Sequence, residues 1–128
     1  MTTEQFSCAD GVLFPWKDKR RIGVIIMIVS RRAVICYGST KIHALPKILI
    51  PPDGRYAKAL SLSQPTYFYA RNVCVVELSA LERSGRCPPE LFHKLKLLTE
   101  TTIAQASPLI HEVIPTSAQE PAAGKLHR

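Results

Sequence analysis

Several kinds of protein are excluded by what this sequence lacks. Its longest apolar run, residues 22–29, is eight residues long, far short of the roughly 20 that a helix needs to cross a bilayer. The first ten residues are polar, with Glu4 and Asp10 among them. No secretory leader is read there, and the cytoplasm is the expected location. The four cysteines, Cys8, Cys36, Cys74 and Cys87, are irregularly spaced and form no C-x-x-C pair, so the local chelating unit of a zinc cage is missing. Cys36 and Cys74 sit inside apolar runs (VICY, NVCVV), where a small buried thiol is the ordinary outcome. There is no P-loop, no G-x-G-x-x-G, no G-x-S-x-G elbow and no H-E-x-x-H. His43, His93, His111 and His127 show no ligand spacing. Neither a metal site nor a cofactor is therefore expected. His93 reads as a solvent-facing helical side chain. His43, in a basic loop-like segment, is the histidine kept as a candidate for chemistry.

What is present suits one domain. The chain has 128 residues, of which 46% are hydrophobic and 21% charged, enough to bury a core without disulfide or metal staples. Ten prolines and six glycines argue against a helical bundle and for a strand-rich fold broken by turns. The formal charge of +7 is uneven. Residues 17–58 hold ten basic side chains against Asp18 and Asp53, a net of +8, and the rest of the chain nets −1. That concentrates the excess on one surface, open to a phosphate-bearing or acidic partner.

Residues 11–16 read as a short strand ended by Pro15 and followed by a charged turn over residues 17–21. Residues 22–29 are β-branched and apolar on both faces, as in a strand buried on both sides. A tight turn over residues 30–32 leads to a second apolar strand, residues 33–37, and the close spacing predicts an antiparallel hairpin. Residues 47–50 form a third strand, stopped by Pro51-Pro52-Asp53-Gly54. Residues 55–65 read as loop and residues 66–76 as a fourth long strand. Residues 77–86 read as a connection with room for one more short strand. Pro88-Pro89-Glu90 starts a helix with Leu91, Leu95 and Leu98 on one face, widened by Phe92 and Ile103. It is expected to run over about residues 89–106 and stop before Pro108. The fold class is mainly β: a small, strongly bent antiparallel sheet or barrel with one C-terminal helix, over residues 1–106, and a loosely ordered tail over residues 107–128. Exposed sheet edges predict a homodimer.

If residues 30–32 join a hairpin, the segments flanking it share one end of the sheet, and Arg20 or Arg21 approaches Ser39 and Thr40. Arginine beside hydroxyls makes a phosphate site, a guanidinium fork with short donors. Metal-free RNA cleavage needs cations on the developing charge and a proton acceptor. Cations and hydroxyls are evident, and the base is not.

A basic stretch entering an apolar strand that ends in Ser (KRRIGVIIMIVS) is followed by an apolar strand running into YGSTK. Next come KILIPP, LSLSQPTYFYARNV and GRCPPELFHKL. In this order the pieces, spanning about residues 11–98, resemble the MazF/PemK/Kid family of toxin–antitoxin ribonucleases. The resemblance implies a small SH3-like antiparallel barrel, MazF/PemK/CcdB-like, and a homodimer. It implies a toxin that inhibits growth by metal-independent endoribonuclease cleavage of single-stranded RNA. It also implies an antitoxin protein partner that covers the RNA groove. By position, Arg21 or Arg20 is similar to the family's active-site arginine, and Ser39 and Thr40 to its hydroxyl pair. Lys17, Lys19, Arg31, Arg32, Lys41, His43, Tyr69 and Arg71 are the expected RNA contacts. Two departures stand out. Ile22 follows Arg21 where the family usually has proline, and Arg71 stands where many relatives carry an acidic residue. They keep an alternative open: a non-catalytic SH3-like barrel module that binds nucleic acid or an acidic protein partner.

Overall fold

The two apolar runs on either side of Ser30 pair into the predicted hairpin, and the rest of the sheet is built around it. A computed structural model describes residues 5–105. In chain order the elements are β1 (Asp10–Trp16), β2 (Lys19–Val29), β3 (Arg32–Ser39), β4 (Lys47–Ile50), α1 (Arg55–Leu60), β5 (Thr66–Glu77), β6 (Glu82–Arg86) and α2 (Pro89–Gln105), with one short 3-10 turn at Leu78–Ala80. The six strands form one antiparallel sheet in the order β4-β5-β3-β2-β1-β6, bent into a half-barrel. The mainly-β architecture with a C-terminal helix is the one expected. The predicted tail, residues 107–128, and the predicted stop before Pro108 lie outside the described residues. Among the described residues no helix is long and apolar enough to cross a membrane.

Three local readings are corrected. The turn after β1 is two residues long, not five. Lys17 and Asp18 both take left-handed backbone (φ 54° and 62°), which closes a two-residue hairpin with the right twist. Trp16 pairs directly with Lys19, so Arg20 and Arg21 belong to the strand. Pro15 does not end β1. It is exposed and sits opposite Arg20. Residues 55–60, read as loop, are α1. The helix is short enough to escape periodicity, and Ala57 and Leu60 bury its inner face. The connection over residues 77–86 does hold one more short strand, β6, which pairs with β1.

The central strands β2 and β3 feed two cores, because alternate side chains point to opposite faces. Val24, Ile26, Cys36 and Phe68 join Leu91 and Leu95 of α2 on one side. Ile25, Ile35, Val12, Phe14 and Cys74 fill the other. Leu91 and Leu95 are fully buried and contribute about 2 kcal/mol each relative to exposure. Burial pushes the Cys74 and Cys87 thiols up to about 12 and Cys36 higher still. All three stay protonated and inert near neutral pH.

Asp10, 3% exposed, ties the start of β1 to β6. Its carboxylate accepts from the Ser7 N–H (2.9 Å), Arg86 (2.8 Å) and Arg83 (3.2 Å). Burial raises its pKa, but these donors outweigh burial and hold the carboxyl below its ordinary value.

Candidate functional site

The β2–β3 register places the site. The last pair toward the open end of the hairpin is Gly23 with Tyr37. Two residues before Gly23 is Arg21, and two after Tyr37 is Ser39. Both line a groove of about 640 Å³. The Arg21 guanidinium lies 5.3 Å from the Tyr37 ring centre, and the Trp16 ring lies 6.4 Å from that of Tyr37. Stacking on an aromatic face holds a guanidinium in place without neutralising it. Arg21 Nε is buried without a hydrogen-bond partner. Arg20 also lines the groove but is ion-paired with the exposed Glu82 of β6. The two arginines left as alternatives by the sequence are therefore placed differently: Arg21 is stacked, Arg20 is salt-bridged.

The opposite wall comes from an irregularity in β5. Between Cys36↔Val73 and Gly38↔Phe68, β3 advances from 36 to 38 while β5 advances from 73 back to 68. Residues 69–72 are thus left outside the β3–β5 ladder, although Tyr69 still pairs with Lys47 of β4. Such bulges re-aim side chains, and here Tyr69, Arg71 and Asn72 reach the groove. The strands come close at this point: a Cβ on Gly38 would lie 2.4 Å from Thr66 Cγ2.

The loop after β3 forms the rim. The Ser39 hydroxyl accepts from the Lys41 N–H at 3.0 Å, an ordinary Ser turn. Tyr69 is 2% exposed. Its hydroxyl donates to the Lys41 carbonyl (2.7 Å) and accepts from the His43 N–H (2.6 Å). The His43 ring packs against it, with centroids 5.6 Å apart. Lys47 Nζ donates to the His43 carbonyl at 2.9 Å. A buried ring offers little face to a base, so Tyr69 shapes the wall and secures the loop. Tyr67, half-buried, stacks beside it at 6.3 Å.

Of the residues singled out from sequence, the groove brings together Arg20, Arg21, Ser39 and Thr40 with Lys19, Lys41, His43, Tyr69 and Arg71. Lys17, Arg31 and Arg32 are not among its lining. Lys17 lies on the β1–β2 turn over Trp16. Arg31 and Arg32 are at the opposite end of the hairpin, where Arg32 pairs with Glu77 at 3.1 Å. Tyr37 and Asn72 line the groove without having been expected to. Tyr37 follows from register, two residues before Ser39 on the same face. Asn72 follows only from the bulge, which leaves no mark in the sequence pattern. Five cations line the groove and, among the described residues, no carboxylate does. Among those residues no group of three or more His, Cys, Asp or Glu side chains is placed to hold a metal ion.

No protein-family model matches the chain, and no curated protein matches it in sequence. Among solved structures, the chain is similar to a chain of a MazE–MazF crystal structure (Form II) from Deinococcus radiodurans. The TM-score is 0.60 at 9% sequence identity, covering 79% of this chain and 97% of that one. The half-barrel with its C-terminal helix is thus a MazF-like fold.

Proposed function

We propose that this protein is the toxin of a toxin–antitoxin pair, an endoribonuclease that cleaves single-stranded RNA without a metal ion. The observation that carries the reading is the groove. Arg21, stacked on Tyr37, lines it together with Ser39 and Thr40, with five cations in all and, among the described residues, no carboxylate. The guanidinium meets the charge that grows on the phosphoryl oxygens as the 2′-hydroxyl attacks, and the hydroxyls orient the phosphate. Among the described residues no carboxylate lines the groove to hold a divalent cation, and arginine and lysine meet that charge. The MazF-like fold supports the reading and suggests the partners: a second copy of the chain, and an antitoxin whose acidic segment complements the basic groove.

The test is incubation of the purified protein with single-stranded RNA in EDTA. Cleavage is expected, and a substrate carrying 2′-deoxyribose at the scissile position should resist it. Salt-sensitive RNA binding with intact RNA at every protein concentration would leave only a non-catalytic binding module.

A further inference from the structure

We infer that His43 is the general base of this groove, held in place by the buried hydroxyl of Tyr69. The inference rests on the ribonuclease reading and supplies the group that reading lacks.

A proton acceptor for the 2′-hydroxyl must be unprotonated, near the phosphate site and able to release its proton to solvent. The groove's cations are donors without an acceptor atom. The buried thiols stay protonated. The phenol of Tyr69 is committed to two hydrogen bonds, and the Ser39 hydroxyl already accepts from Lys41. Among the described lining residues no carboxylate is present. Tyr37 and Thr40 also bring hydroxyls to the groove, but imidazole, here that of His43, is the side chain that works both as acceptor and donor near neutral pH. It lines the groove and is exposed, so its proton can leave.

A loop histidine needs support to act as a base, and this one is held at three points. Tyr69 accepts from its N–H and packs on its ring, and Lys47 Nζ donates to its carbonyl. Tyr69 also grips the Lys41 carbonyl, so one buried side chain fixes both ends of the short segment. Arg71 from β5, Lys41 from its own loop, Lys19, Arg20 and Arg21 from β2 and the phenols of Tyr37 and Tyr69 share the groove with His43, and Lys47 of β4 bonds its carbonyl.

In the step this assigns, neutral imidazole takes the proton of the 2′-hydroxyl. The freed oxygen attacks the adjacent phosphorus, the P–O2′ bond forms and the P–O5′ bond breaks. The departing 5′-oxygen takes a proton from solvent water, and the imidazolium returns its proton to solvent. The products are a 2′,3′-cyclic phosphate and a 5′-hydroxyl, and nothing is oxidised or reduced. Tyr69 touches no reacting atom and is a positioning residue.

The experiment compares wild type, His43→Gln and Tyr69→Phe on single-stranded RNA across about pH 5 to 8.5, with binding measured separately on a 2′-deoxy substrate. Wild type should lose rate on the acid side, as any reaction that needs a general base does. His43→Gln should lower kcat by about 10²- to 10³-fold and abolish that acid limb, with binding changed less than about twofold. Tyr69→Phe should lower kcat by roughly tenfold and keep the limb, because the base is present but loosely held. If wild type cleaves and His43→Gln keeps both its kcat and its acid limb, or shows only a raised KM, His43 is not the base and the ribonuclease reading survives. If wild type cleaves no RNA, both fall.

Discussion

At the scale of single residues, adjacent Arg20 and Arg21 show how surroundings decide a role that sequence leaves open. Both line the groove. Arg20 is exposed and paired with exposed Glu82, an interaction worth little in water. Arg21 is half-buried, stacked on Tyr37, with Nε unsatisfied. Arg21→Ala should therefore reduce cleavage by about 10²- to 10³-fold, as expected for loss of a charge aimed at the transition state, while thermal stability changes little. Arg21→Lys should restore little of it, because a point charge replaces a planar fork. Arg20→Ala should cost less than about tenfold. Steady-state kinetics on one RNA substrate check all three, and an Arg20 effect larger than that of Arg21 would reverse the assignment.

At the scale of elements, what was legible in the sequence is what local pattern controls. The β-branched run of β2, its hairpin with β3, the Pro-stopped β4 and the Leu91–Leu95 face of α2 all follow from period and turn chemistry. The meeting of Arg21 with Ser39 follows too, because a hairpin has only two ends. The same hairpin puts Arg31 and Arg32 at its turn, away from Arg21, so linear charge density alone makes them expected RNA contacts. β2 is long enough that they lie roughly 30 Å from Arg21 at the usual rise per residue. The bulge at residues 69–72 escaped because tertiary partners make it, not propensity, and the short strand allowed for in residues 77–86 could not be placed for the same reason. β6 depends on Asp10, whose carboxylate is held by Arg83, Arg86 and the Ser7 N–H. Since its folded pKa lies below the ordinary 3.8, the stabilisation is fully present above about pH 4 and fades as pH falls through the lower folded value. Asp10→Asn should cost on the order of 1–3 kcal/mol near neutral pH. Its denaturant midpoint should approach that of wild type in strong acid. A constant gap at all pH values would mean that the charge of Asp10 is not what holds β6.

At the scale of the molecule, the +7 charge admits two pictures of RNA binding, and the fold separates them. In the first, the whole basic third of the sequence attracts phosphate and every cation counts alike. In the second, binding runs through the five cations that the hairpin and the bulge bring to one groove, Lys19, Arg20, Arg21, Lys41 and Arg71. Arg31 is equally basic and exposed but sits on the far turn. Single-strand binding releases counterions in proportion to the phosphates neutralised, with a slope of about −0.7 per contact in log Kd-derived affinity against log salt. Five engaged cations give a slope of about −3.5. Arg71→Gln should make it shallower by about 0.7, whereas Arg31→Gln should leave it unchanged. Titration of a 2′-deoxy substrate at several salt concentrations reads the slope without cleavage. Equal losses from Arg71→Gln and Arg31→Gln would mean that the RNA senses the charge of the whole molecule, and the groove would lose its claim to be the binding site.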